Sequence, residues 1–320
     1  MLRYIFYRLL LTIPILLLVT FIVFSLASLS PVDPGRFKLG VEATEEEVAQ
    51  YNKELGLDKP FLVRYVTFLY QAVQGDFGTS YYTERPVFHD IIVRWPNTII
   101  ITVLSVIIAM VIGIPLGVLS AVKQYSWMDK LFSTSAMFLA SVPTFCMATI
   151  FLLVFSLKLH WVPASGIREG FICFILPSLT MGIHSSAFFL RYSRTTMLDT
   201  IRQDYIRTAR SKGASEASVV WKHGFTNALL PLITIAALTM GYLLGGVVIM
   251  ETIFVIPGLG LFVLEAIHRN DTPVIMGTIP MLSLTFMVIL IAVDILYGVV
   301  NPMIKARFIV SQKRSRSEAK

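Results

Sequence analysis

The chain has 320 residues, of which 55% are hydrophobic and only 15% charged, where an average soluble domain carries about 25% charged residues. That balance argues against a water-soluble globule, and intrinsic disorder is excluded because disordered chains are poor in apolar residues. The formal charge of +7 points either to nucleic acid or to membrane topology, and its position along the chain selects the membrane.

A helix needs about 20 mostly apolar residues to cross a ~30 Å hydrocarbon core. Runs free of Asp, Glu, Lys and Arg reach this length at 9–32, 95–122, 131–157, 170–190, 223–250 and 272–293, the last continuing past Asp294 to about residue 300. These runs predict an all-α polytopic membrane protein with six transmembrane helices. The first run lacks a convincing small-residue cleavage site and reads as a retained anchor over 1–32. With the N-terminus inside, the cytoplasmic pieces 1–8, 123–130, 191–222 and 301–320 hold 17 of the 27 basic residues. Seven of the other ten lie in the long segment 33–94 beside ten acidic residues, and long loops translocate largely regardless of charge. Both termini are therefore expected in the cytoplasm, with no nucleic-acid partner.

Segment 33–94 reads as ordered and external. Thr44-Glu45-Glu46-Glu47 is a capping box that starts a helix ending at Gly56. A second helix starts near Pro60, with Asp58 as its cap, and its apolar residues Phe61, Leu62, Tyr65, Val66, Phe68 and Leu69 suit the membrane surface or packing on the spans. The core follows over 95–304. Gly113-x-x-x-Gly117 in the second span allows close helix approach, and Pro115, Pro143 and Pro177 predict kinks or helix starts.

Segment 191–222 carries Arg191, Arg194, Asp199 and Arg202, then Asp204 to Gly213. Asp204 and Arg207 are spaced to pair on a helix face. Gly213 is a helix stop, and Ser215 caps a short amphipathic helix holding Glu216, Val219, Val220 and Trp221. Apolar residues exposed together beside basic ones predict docking against another protein. Further on, Gly241-x-x-x-Gly245 forms a second small-residue pair, and Glu251 sits at the outer end of the fifth span, within reach of water or a loop amide. Asp294 lies inside the last apolar run, where an acid marks either function or a structural partner such as Arg191, Arg194 or a backbone group. The basic stretch Lys313 to Arg316 within the tail 305–320 suits anionic lipid.

No GxxxxGK[ST] phosphate loop, His-Glu-x-x-His pair or Gly-x-Ser-x-Gly elbow occurs, and the five histidines and two cysteines are scattered. No catalytic site, metal site or cofactor is expected. The chain thus reads as a transporter component rather than an enzyme. An ion-coupled secondary transporter is the alternative, although such carriers show more intramembrane ionisable groups or repeats.

Several strings resemble one family in order. Gly75-Asp76-Phe77-Gly78 with Arg85-Pro86-Val87 comes first, then Ser141-Val142-Pro143-Thr144-Phe145 and Trp161-Val162-Pro163-Ala164-Ser165-Gly166. Asp204-Tyr205 with Arg207-Thr208-Ala209-Arg210-Ser211-Lys212-Gly213 follows, and then Asn227-Ala228-Leu229-Leu230-Pro231. Glu251-Thr252-Ile253-Phe254, Pro257-Gly258-Leu259-Gly260, Asp271-Thr272-Pro273-Val274, Asp294-Ile295-Leu296-Tyr297 and Asn301-Pro302 complete the set. Colinear over 1–307, this set resembles permeases of the dipeptide/oligopeptide/nickel class of ATP-binding-cassette importers.

The resemblance implies a type I importer permease fold in a prokaryotic cell membrane. It also implies a second related permease, two cytoplasmic ATPases and an external solute-binding protein as partners, with di- or oligopeptides as substrate. In the loop 191–229, the resemblance assigns coupling to the ATPase to Asp204, Tyr205, Arg207, Thr208, Ala209, Arg210, Lys212, Gly213, Ala214, Ser215, Glu216, Val219, Trp221 and His223. The coupling helix would lie at about 214–223. Pro143, Gly241, Gly245 and Asp294 are expected to be structural or gating.

Overall fold

The structure is a computed structural model that describes residues 2–29, 33–40 and 42–300; the side chains of residues 2–5, 7, 294 and 296–300 fall outside the description, as do residues 301–320. The expectations for the Asp294 side chain, Asn301-Pro302 and the basic tail therefore lie outside the described residues.

Helices account for nearly all of the regular structure, and the described residues form no strand beyond one isolated bridge between Thr79 and Pro86. They are α1 (Leu2–Ser28), α2 (Pro34–Leu39), α3 (Glu45–Glu54), α4 (Phe61–Val73), α5 (Val87–Val122), α6 (Trp127–Ser141), α7 (Thr144–Phe151), α8 (Ile172–Ile201), α9 (Asp204–Ser211), α10 (Glu216–Ser218), α11 (Thr226–Ile253), α12 (Leu259–His268) and α13 (Thr272–Val300). Two π-helical stretches, Leu152–Lys158 and Val219–Phe225, continue α7 and join α10 to α11.

Five stretches are long and apolar enough to cross a membrane: Arg8–Ser28, Val87–Val122, Ile172–Ile201, Glu216–Ile253 and Thr272–Val293. The expected third span is different. Its two halves meet at 95°, because Val142 is extended (φ −80°, ψ 123°) and Pro143 follows at φ −58°, ψ 136°. Proline offers no N–H and disfavours a helical residue before it, so the continuous apolar run conceals a break. Pro14, Pro177, Pro231 and Pro280 are instead carried inside helices, and α5 likewise runs through Pro115. Of the three prolines expected to kink or start a helix, Pro143 alone interrupts one.

The chain folds as two compact units. The first is built on Ile99–Ile256. Its centre is α8, whose apolar window is 67% buried. Gly113 and Gly117 let α5 lie directly on it: a Cβ at Gly113 would stand 2.6 Å from Phe189 Cβ, and one at Gly117 would collide with Ser193 Oγ and Leu190 O. The core around this contact holds Phe189, Met197, Leu232, Val247 and Met250. Asp129, nearly buried, accepts from Arg194 Nε (2.7 Å) and Nη2 (2.9 Å), from Tyr125 N (2.9 Å) and from Ser120 Oγ. This tie between α6 and α8 helps explain why the helix continues through 191–201, which reads as loop on charge alone. Glu251, expected within reach of water or a loop amide, is fully buried, which leaves out water.

The second unit comprises Leu9–Thr98 and Pro257–Met287. The capping box forms as expected, Thr44 Oγ1 accepting from Glu47 N and Glu47 Oε2 from Thr44 N. Asp58 does not cap α4, whose N-cap is Pro60 with no side-chain bond. The aromatic face of α4 packs on the first span: Phe61 and Tyr65 meet Phe21 and Phe24, and Tyr65 Oη donates to Leu17 O at 2.9 Å. Asp271, 4% exposed, holds the 79–86 turn by accepting from Ser80 Oγ and Tyr81 N. Thr98 Oγ1 accepts from Leu259 N, satisfying an orphan amide at the start of α12, and Asn97 Nδ2 donates to Pro257 O.

Candidate coupling site and cavity

Helix α9 is short and strongly two-faced. Ile206 is fully buried and anchors it, whereas Asp204, Tyr205, Arg207, Thr208 and Arg210 are exposed. Its end is a complete Schellman motif. Gly213 N donates to Arg210 O, Ala214 N donates to Ala209 O, and Gly213 takes φ +80°. A side chain at 213 would meet nothing within 4 Å, so conformation rather than space calls for glycine there.

Polar ties fix the shape around this turn. Arg210 Nε and Nη2 clasp both oxygens of Glu216 at 2.8 and 3.1 Å, which raises the Arg210 pKa. Ser215 Oγ accepts from Ser218 N and caps α10. Asp204 and Arg207 lie 3.9 Å apart as a solvent-exposed pair, an arrangement worth little by itself. Burial raises the Tyr205 phenol, opposed by its hydrogen bond with Asn227.

The expected site residues divide by burial. Exposed are Asp204, Tyr205, Arg207, Thr208, Arg210, Lys212, Gly213, Ser215, Glu216 and Trp221, while Ala209, Ala214 and His223 are half-buried. Val219 is fully buried and Val220 nearly so. The exposed apolar cluster expected at 219–221 is thus reduced to Trp221, and the stretch expected as a coupling helix is largely the root of α11. Tertiary packing causes the difference: Gly224 lies against Met197 of α8, where a Cβ would come within 2.7 Å of Met197 Cε.

A cavity of about 400 Å3 opens between α6, α8 and α11. His184, Ser185, Phe188 and Arg191 line it from α8, Ala140 from α6, and Ile235, Leu238, Thr239 and Tyr242 from α11. Nothing in the sequence distinguished these residues as a group, because helix rotation is set by packing. The 184, 188, 191 spacing on one helix face was the available signal. Gly245 of the second small-residue pair does not pack within the chain as Gly113 and Gly117 do: it is open on the Cβ side, next to the exposed Leu238, Tyr242 and Ile249.

Comparison with known proteins agrees along the whole chain. Residues 113–306 match the family model described as binding-protein-dependent transport system inner membrane component, and residues 1–102 match its N-terminal companion. The glutathione transport system permease proteins GsiC of Salmonella paratyphi A, Pectobacterium atrosepticum and Escherichia coli K12 are each 39% identical over 305 residues, covering 95% of this chain and 99% of theirs. Two inward-facing crystal forms of the MetNI methionine ABC transporter share the fold, with TM-scores of 0.53 and 0.56 at 20% identity, covering 66% of this chain and 96% of theirs. No comparison supports an ion-coupled carrier. With relatives aligned nearly end to end and the family models matching both halves, the chain belongs to the inner-membrane permease components of binding-protein-dependent ATP-binding-cassette importers.

Proposed function

We propose that this chain is one half of the pore of an importer for glutathione or similar short peptides, with both termini and α9 in the cytoplasm. It works beside a second related permease, two cytoplasmic ATPases and an external solute-binding protein, and it carries no ATP site of its own. The observation that carries this reading is α9: a helix held out by one buried isoleucine and a glycine turn, with its polar face exposed among the described residues. The docking element is α9 with the turn 212–216, rather than 214–223. Alternating access needs a body that moves when nucleotide or loaded binding protein biases it. Through the Gly213 turn and the Arg210–Glu216 clasp, motion of α9 passes into α10 and α11. The cavity between α6, α8 and α11 then forms one wall of the solute path. The substrate class follows from the GsiC relatives.

Gentle purification of the tagged chain from native membranes, with mass spectrometry of what accompanies it, tests the assembly. Recovery of a second permease and two ATPases is expected, and the complex reconstituted with its binding protein should import labelled glutathione or a di- or tripeptide only with ATP. Recovery of the chain alone at low detergent would overturn the reading.

A further inference from the structure

The cavity between α6, α8 and α11 has an uneven lining. Among the described residues, Arg191 carries its only formal charge and no acidic side chain lines it. Arg191 forms no ion pair with any described side chain, while its neighbour Arg194 is fully engaged by Asp129. Arg191 is exposed among mostly apolar lining side chains, and its fork matches a carboxylate in two parallel hydrogen bonds. One face of α8 also brings His184 to the same cavity, and His184 Nδ1 is buried without a hydrogen-bond partner among the described residues. Buried polar atoms ordinarily find a partner, so this one offers a second polar contact. Residues 184 and 191 are separated by about 10 Å along the helix axis, roughly the length of three extended residues.

Resting on the cavity as a wall of the solute path, we infer that Arg191 anchors a free carboxylate of a short peptide in transit, with His184 meeting a polar group about three residues away. The site takes small anionic or zwitterionic peptides. It disfavours cations, including metal chelates of net positive charge, because it holds no acid to receive them.

The test uses the whole complex in proteoliposomes with its binding protein, and compares Arg191→Gln and Arg191→Lys with the parent. The probes are labelled glutathione and its glycine amide. Since the binding protein is common to all three complexes, the variant-to-parent ratio for each probe reports the permease alone. Arg191→Gln is expected to lower glutathione uptake tenfold or more while changing amide uptake less than twofold, with Arg191→Lys between. Equal loss for both probes would assign Arg191 a structural part and overturn the anchor, as would no change for either. A parent complex that imports neither probe overturns the peptide-importer reading, and the anchor with it; discrimination that fails in an active complex overturns the anchor alone.

Discussion

Gly213 matters through one backbone angle. A β-branched residue at φ +80° costs about 1–2 kcal/mol, whereas asparagine tolerates the left-handed region. Gly213→Val is therefore expected to reduce ATP-coupled uptake several-fold with normal membrane insertion, and Gly213→Asn to restore most of it. Uptake normalised to expression is the measurement, and unchanged transport in the valine variant would refute the role of the turn. Asp129 presents the opposite situation, a nearly buried acid whose removal strands a guanidinium. Asp129→Asn should cost about 3–5 kcal/mol, read as a lower unfolding temperature of the purified chain. A third residue sets a pH limit. Burial pushes the Tyr81 phenol to about 12 from an ordinary value of 10.0. A raised folded pKa contributes stability that is complete below pH 10 and lost as pH rises toward 12. Alkaline unfolding monitored against phenolate absorbance should show this loss in the parent and not in Tyr81→Phe.

The two small-residue pairs look alike as strings and differ as elements. Alanine at Gly117 must intrude on Ser193 and Leu190, whereas Gly245 faces open space. Overpacking costs about 1–3 kcal/mol, so Gly117→Ala should destabilise the purified chain by that amount and Gly245→Ala should not, as thermal unfolding in one detergent would reveal. The extents of helices show a related limit of sequence reading. Charge set 191–222 apart from the spans, yet α8 runs on to Ile201, while the helix capped by Ser215 begins at Glu216 as expected. Arg194 is tolerated because Asp129 answers it, and no local pattern announces a partner 65 residues away. The capping box at Thr44 was legible because its partners are three residues apart. The missing Asp58 cap shows that a suitable residue near a helix start is not sufficient.

Across the whole molecule, the face of α11 bearing Gly245 and Ile249, beside the cavity-lining Leu238 and Tyr242, is uncovered by the described residues. If the second permease covers it, Gly245→Leu should leave the isolated chain stable but reduce recovery of the partner permease on co-purification, and undiminished recovery would exclude this face from the interface. The coupling region was only partly legible. Glycine chemistry and the Asp204–Arg207 spacing marked out α9 and its turn, but burial of Val219 and Val220 leaves the exposed helix upstream of the stretch expected. Of the cavity only the 184, 188, 191 spacing on α8 was legible, since its lining comes from three helices whose rotations are set against one another.

Sequence by itself determined that this chain belongs in a membrane, that its apolar runs are helices, where several of them start or stop, and which family its ordered motifs resemble. Those properties rest on composition, on short-range caps and on the fixed φ of proline and glycine, all of which act within a few residues. Tertiary structure alone decided which helix faces are buried, that one apolar run turns by 95° at Pro143, and which arginine a buried acid holds. Those outcomes depend on contacts between residues far apart in the chain, where Asp129 engages Arg194 and leaves Arg191 lining a cavity.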